Sequence, residues 1–177
     1  MKTLLLTTVL LGLVATLQAQ DSIPLLSEEK NLAGTWYMKA IVTNNKQIDK
    51  NKAWMAYPIT VTDLEGEHFE VTVTIIYKGR CRNKKLLIHT EDSRKFRHAQ
   101  GKELLFIKKL SVKDHVIFYC EGSHQGKIFR MGMLMGRNPK ENSQALEEFK
   151  KFTWSKGLLQ ENIFILKQKE PCVPEHY

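Results

Sequence analysis

The chain predicts an all-β fold, an eight-stranded antiparallel up-and-down barrel with one C-terminal α-helix packed outside. Three observations point there. From residue 57 to 135 nearly every apolar run has strand length and alternates with polar residues. The runs are separated by short turns rich in Gly and Asp, the mark of a meander in which each strand pairs with the next. Only one stretch, late in the chain, repeats its apolar residues at helical spacing. Eight nearest-neighbour strands can close on themselves and remove both edges. A ring of that size encloses side chains or one small ligand.

Taken in order, Met1 and Lys2, the apolar run 4–14 and the stretch ending at Ala19 have the three zones of a secretory signal peptide, too short to span a membrane. Cleavage is expected after Ala19, giving a signal over 1–19 and a single domain over 20–177. That domain has about 158 residues, enough for one substantial core. Residues 21–32 show no sustained period and read as a lead-in that plugs one end.

The first strand covers 34–43, with Trp36, Met38, Ala40 and Val42 on its buried face and Tyr37, Lys39 and Ile41 on the other. Gly34 lets the backbone kink so that Trp36 turns under the strands as a floor. Residues 44–54 form a long Asn- and Lys-rich loop. A second strand over 58–64 turns at Gly66. Phe69, Val71, Val73, Ile75 and Tyr77 share one face of the third, and Lys78-Gly79 turns into a fourth over 81–89 whose Leu86 and Ile88 face inward. A shorter strand surrounds Phe96, and three more cover 103–110, 115–121 and 127–135. Asn138-Pro139 with Glu141 marks a helix start, Ala145, Leu146, Phe149 and Phe152 form its apolar stripe, and Gly157 stops it. Residues 163–166 make one more short strand.

The formal net charge of +8 becomes about +7 once the signal is removed. The cations are scattered, with Arg80, Arg82, Lys84 and Lys85 the densest group, so a solvated face is expected. Export, and the lack of basic residues interleaved with aromatic ones on a strand, argue against nucleic acid. Three cysteines in an exported chain imply one bridge and one remaining thiol. Cys172 lies in a Pro-Cys-Val-Pro tail that gains most from being tied down, Cys81 opens a strand, and Cys120 ends the apolar run 116–120. The expected disulfide is therefore Cys81–Cys172, closing a loop of about ninety residues worth about 4–5 kcal/mol in the chain-entropy model. No Asn-X-Ser/Thr acceptor for N-glycosylation occurs.

Gly34-Thr35-Trp36, the eight-strand meander, Arg137 ending the last barrel strand and the tail cysteine together resemble the lipocalin family across the whole mature chain. Gly34 and Trp36 match its Gly-X-Trp motif. Arg137 matches its arginine, which the resemblance implies lies across Trp36 at the closed end. The turn Lys113-Asp114-His115 keeps only the aspartate of the family's Thr-Asp-Tyr-like motif. Phe118-Tyr119-Cys120-Glu121-Gly122, Gly136-Arg137-Asn138-Pro139 and Ala145-Leu146-Glu147-Glu148-Phe149 look most like the branch of tear lipocalin, von Ebner's gland protein and odorant-binding protein II. Vomeronasal secretory proteins are similar. The resemblance implies a secreted carrier in nasal, oral or lacrimal fluid, with odorants, pheromones, fatty acids or other lipids as ligands. A cell-surface receptor or the surface of chemosensory neurons is a further partner to consider.

In the last barrel strand Phe129, Met131, Met133 and Met135 share the parity of Arg137. With Arg137 at the floor, the methionines line the cavity, where an unbranched, polarizable side chain adapts to several ligand shapes. Met38, Ala40, Ile59, Val61, Phe69, Val71, Val73, Ile75, Leu86, Ile88, Val116, Phe118 and Cys120 complete the expected lining, above a floor of Gly34, Trp36 and Arg137. A ligand there is held mainly by burial, at about 25 cal/mol per Å2 of apolar surface.

Catalysis is not expected. The chain has no His-Glu-X-X-His, Cys-X-X-Cys, P-loop or Gly-X-Ser-X-Gly, and its six histidines lack metal-ligand spacing. No metal, cofactor or membrane insertion is expected either. A thiol-dependent prostaglandin isomerase at Cys120 is a remote alternative, without a visible neighbour to lower the thiol pKa. A secreted protein acting by its surface, such as a cysteine-protease inhibitor, is another. A monomer is expected because a closed barrel has no edge to share.

Overall fold

Alternating β-branched and aromatic residues put most of the chain into strands. The computed structural model describes residues 32–45, 54–65, 68–92, 95–98 and 104–173. Its strands are β1 (Gly34–Thr43), β2 (Met55–Ala56), β3 (Ile59–Leu64), β4 (His68–Tyr77), β5 (Arg80–Asp92), β6 (Lys95–His98), β7 (Leu104–Lys109), β8 (His115–His124) and β9 (Lys127–Gly136). Then come α1 (Ser143–Ser155), a 3-10 turn (Gln160–Asn162), β10 (Ile163–Ile165) and β11 (Lys167–Gln168). The expected signal peptide, nearly all of the lead-in, most of the 44–54 loop and the turn at Gly66 lie outside the described residues.

From β3 to β9 each strand pairs antiparallel with the next. β1 pairs with β3 through residues 34–36 and with β9 through residues 37–43, so the eight strands of the expected meander close into a ring. Beyond Trp36, where β3 leaves β1, β10 takes the vacated edge by pairing with residues 40–42. Lys78-Gly79 and Gln125-Gly126 carry φ of 51° and 76°, and of 49° and 75°. These are mirror-image two-residue turns, whose twist matches that of the strands they join.

One irregularity changes which side chains face inward. The β1–β9 register runs from Met38↔Met135 directly to Ala40↔Leu134, leaving Lys39 as the extra residue of a bulge. Parity reverses across it. Trp36 and Met38 lie on one face, but beyond the bulge Ile41 and Thr43 take that face while Ala40 and Val42 turn to the other. The expectation that Ala40 lines the interior, with Val42 beside it, is therefore corrected. Both join the cluster of Ile117, Tyr119, Leu134, Ala145 and Phe149 against α1. Bulges carry no mark in an alternating pattern, so the sequence counts straight through them.

That cluster forms a core between the sheet and the helix. Ile117, Leu134, Phe149 and Leu158 are buried, with Phe106, Phe152 and Ile163 packed against them. A Cβ at Gly132 would lie 2.9 Å from Thr153 Cγ2 and 3.4 Å from Phe149, so this glycine lets the helix sit directly on β9. Tyr119 is edge-on to Phe152 with ring centroids 5.8 Å apart and donates to Glu121 Oε2 at 2.9 Å. Burial, then Glu121, push its pKa up to about 12.

The helix begins later than Asn138-Pro139 suggests. Its N-cap is Asn142, whose side chain accepts from Ala145 N at 2.9 Å, while Asn138 Oδ1 accepts from Lys140 N and holds the preceding bend. Gly157, at φ 77°, ends it as expected, with Leu158 N donating to Thr153 O. After α1 the chain straps β1. Leu166 N donates to Lys39 O, Gln168 Nε2 to Met38 O, and β11 pairs parallel with β2. Trp54 and Phe164 meet at 6.0 Å beside this strap. The tail then reaches Cys81, forming the expected disulfide with Cys172, Cα–Cα 6.0 Å. Cys120 stays outside that bridge.

Glu148 ties α1 to the β7–β8 turn by accepting from Ser111 N at 3.0 Å and from Ser111 Oγ. These bonds hold its carboxyl below the usual 4.5, with Lys108 and Lys151 adding to the effect. A depressed folded-state value means the contribution is present above the unfolded value and lost as pH falls through the folded one. Glu148→Gln is expected to flatten the loss of stability as pH falls below 4.5, measured by urea midpoints on either side of that value.

Candidate functional site

The ring has two apolar faces, and α1 covers only one. The other is traced strand by strand from the registers. Val116, Phe118 and Cys120 of β8 stand opposite Met135, Met133 and Met131 of β9. On its other side the same set stands opposite Lys109, Ile107 and Leu105 of β7. Met135 and Met133 in turn face Met38 and Ile41 of β1. Trp36 pairs with Ile59, Val61 with Val71, and Phe69 and Val71 with Ile88 and Leu86. A centroid distance of 6.4 Å between Trp36 and Phe118 places β1 and β8 residues on one side of the sheet, away from the helix.

This inward face brings together every residue expected to line the interior except Ala40. Ile75 shares the face of β4 but lies at its end and is 40% exposed. Among the described residues, three apolar inward side chains escape sequence reasoning. Ile41 is hidden by the bulge, and Leu105 and Ile107 belong to Leu104-Leu105-Phe106-Ile107, apolar on both faces and so without readable parity.

Burial varies along the inward face. Among inward residues, Met38, Val73, Leu86, Leu105, Ile107, Cys120, Met131 and Met133 keep part of their surface accessible. Trp36, Val61, Phe69, Phe118 and Met135 of the same face keep almost none, as do Ala40, Val42, Ile117 and Leu134 on the helix side. An inward apolar side chain with accessible surface means that packing inside the ring is incomplete. A small hydrophobic molecule gains free energy by covering it, at about 25 cal/mol per Å2.

The floor is built from the two ends of the meander. The Arg137 guanidinium carbon lies 3.7 Å from the centroid of a Trp36 ring, and Arg137 Nη1 donates to Thr35 O at 3.2 Å. Gly34, at φ 108°, passes beneath, where a Cβ would stand 3.0 Å from Arg137 Nη1. Positive φ and close approach both require glycine there. Burial lowers the Arg137 pKa and the charge of Asp114 opposes this, while Arg137 N donates to Asp114 O at 3.0 Å.

Next to the floor, on the helix side, the bulge residue Lys39 is buried. Its Nζ lies 2.8 Å from His115 Nε2 and donates to Lys140 O. His115 Nδ1 is 2.8 Å from Lys113 O, so Nδ1 is the donor and Nε2 the acceptor toward Lys39. Burial lowers the Lys39 pKa from 10.5. The arrangement joins the two ends of the barrel wall and presents no group to the interior. Beside Cys120, the cross-strand neighbours Leu105 and Met131 supply no base. Among the described residues no group of three or more His, Cys, Asp or Glu side chains is placed to hold a metal.

Arg137→Ala removes a cation–π contact of about 1–2 kcal/mol together with a hydrogen bond. The expected result is a lower urea midpoint and a red shift of tryptophan emission, with Arg137→Lys intermediate because an ammonium cannot stack as a planar guanidinium does.

Comparison with known proteins agrees with this geometry. The family model described as Lipocalin / cytosolic fatty-acid binding protein matches residues 33–170. Vomeronasal secretory protein 2 of Mus musculus is 41% identical over 177 residues, covering 99% of this chain and 95% of the relative. Odorant-binding protein 2a of Mus musculus is 39% identical over 175 residues, covering 98% of each. Among solved structures, that described by the words "The Siderocalin Ex-FABP functions through dual ligand specificities" superposes with a TM-score of 0.69 at 18% identity. It covers 82% of this chain and 96% of that one, a likeness of fold.

Proposed function

The chain belongs to the lipocalin family, and on that premise we propose that it is a secreted carrier of small hydrophobic molecules held inside its barrel. The single observation that carries this is the inward apolar face itself: Met38, Leu86, Leu105, Ile107, Met131 and Met133 turn into the ring and keep part of their surface accessible. A ring filled tightly by its own side chains would leave little such surface. Met131 and Met133 form an adaptable part of the wall, suited to ligands of several shapes. Odorants, pheromone-like molecules, fatty acids and other lipids are the ligand class. The names of the odorant-binding and vomeronasal relatives support that choice. Release into nasal, oral or lacrimal fluid is consistent with the signal-like segment 1–19 and with a disulfide, which persists in an oxidising compartment. The role needs no catalytic step, no metal and no second copy.

The carrier role is tested by native mass spectrometry of the protein recovered from the medium of a eukaryotic host, followed by solvent extraction. Co-purifying lipids or volatiles are the expected result. An empty protein that also fails to take up 1-aminoanthracene or fatty acids would shift the function to its surface. Met133→Arg, which puts a charge on the wall, is expected to weaken uptake about tenfold or more, and Met133→Leu to leave it within about twofold. Circular dichroism on both variants separates lost binding from lost folding.

A further inference from the structure

We propose that the groove between the C-terminal end of α1 and the 3-10 turn after it binds carbohydrate, with Trp154 stacked on a neutral pyranose and Lys151, Gln160 and Glu161 bonding its hydroxyls. The groove lies on the outer surface, so the inference goes beyond the carrier role and does not depend on it.

The groove follows from how the helix stops. Gly157, at φ 77°, turns the chain back. Leu158 is then buried in the core against α1, and Ile163 pairs with Val42 of β1, so residues 159–162 are held at both ends. Between these anchors Asn162 N donates to Leu159 O at 3.0 Å and closes the turn Gln160–Asn162. The turn is thereby kept beside the helix. Lys151 and Trp154, three residues apart on α1, are neighbours on its surface. With Leu159, Gln160 and Glu161 they line a groove of about 570 Å3 that is open to solvent. Its walls are set before any ligand arrives.

The fold gives no reason for a tryptophan here. Ala145, Phe149 and Thr153 form the buried side of α1, and any polar residue at position 154 would satisfy the helix. Trp154 is nevertheless 62% exposed, with Leu159 beside it at 45%. An indole in water forgoes one of the largest burial gains a side chain offers. What surrounds it decides what covers it. Lys151 brings donors, Glu161 acceptors and Gln160 both. One cation and one carboxylate in the same groove cancel, so neither an anionic nor a cationic partner gains net attraction there. Three polar groups also make a poor seat for an apolar side chain.

A neutral sugar meets both halves of the set. One face of a pyranose is a patch of weakly positive C–H bonds, which packs on the negative face of an indole. Its equatorial hydroxyls project sideways as paired donors and acceptors, within reach of charged and amide groups at the groove's edge. A shallow open groove admits one or two rings of a longer chain while the rest stays in water. Such a site holds the protein on a glycosylated surface without occupying the ring.

The test is binding of the mature protein, secreted by a eukaryotic host, to an array of neutral, sialylated and sulfated oligosaccharides. The strongest neutral binder is then titrated by NMR, following the Trp154 indole N–H assigned by its loss in Trp154→Phe. Binding to neutral members with a shift of that resonance is the expected result. Trp154→Ala is expected to weaken binding about tenfold or more, Trp154→Phe about threefold, and Gln160→Ala/Glu161→Ala about tenfold. Because these side chains are exposed, the urea midpoint and 1-aminoanthracene uptake are expected to stay unchanged. Binding confined to sialylated or sulfated members and lost in about 0.5 M salt overturns the proposal, leaving only the attraction of a basic chain for polyanions. No binding to any member, or binding that Trp154→Ala leaves intact, overturns it as well. Failure on the array together with sedimentation on phosphatidylserine vesicles that Trp154→Ala abolishes overturns it and makes the same patch a membrane contact. None of these outcomes touches the carrier role, which is read from the ring.

Discussion

A meander closes into a ring only if its first strand pairs with its last as well as with the next, and β1 does this. It gives one edge to β9, and on the other takes β3 for its first residues and β10 for its later ones. Its backbone groups are thereby paired without leaving an edge to template aggregation. The bulge at Lys39 lies inside this arrangement and adds local twist where closure demands it. Around it gather the strap from Leu166 and Gln168, the buried contact of Lys39 with His115, and the floor of Trp36 under Arg137.

The bulge also explains how one strand serves two cores. Before it, Trp36 and Met38 face the ring's interior; after it, Ala40 and Val42 face α1. In the outer core Gly132 lets the helix approach the sheet closely, and Phe149 is buried there. Packing there supplies stability that does not depend on what fills the ring. The interior is then available for adaptable side chains such as Met131 and Met133, whose incomplete burial would weaken a protein that relied on them alone.

Charge follows the same division. Lys39, Asp114 and Arg137 gather at the closed end, where Arg137 bonds backbone oxygen at Thr35 and its N–H meets Asp114 O. The cations of β5 lie at the opposite end of the meander, toward the Lys78-Gly79 turn. Cys81 sits among them on the outer face, so the disulfide that anchors the tail also braces the hairpin bearing Arg82 and Lys84.

Much of this was legible locally. The existence and order of the strands, the turn at Lys78-Gly79, the helix stripe and its stop at Gly157 follow from patterns contained in one hairpin or one helix. Alternation and positive-φ turn residues act over a few positions, so they survive without knowledge of the fold. The helix start was misplaced by four residues because Asn138 and Asn142 are both good caps, and bonding with Ala145 decides between them. The two-residue pairing of β2 with β11 leaves no pattern at all. For β1 beyond Met38 and for β7, which apolar side chains meet the helix side and which meet the interior was settled only by packing from distant segments. Ala40 and Ile41 are both apolar, as are Leu104 through Ile107, and hydrophobicity has no direction. The direction comes from a bulge fixed by ring closure and from a helix laid across one side, neither of which a short stretch of sequence contains.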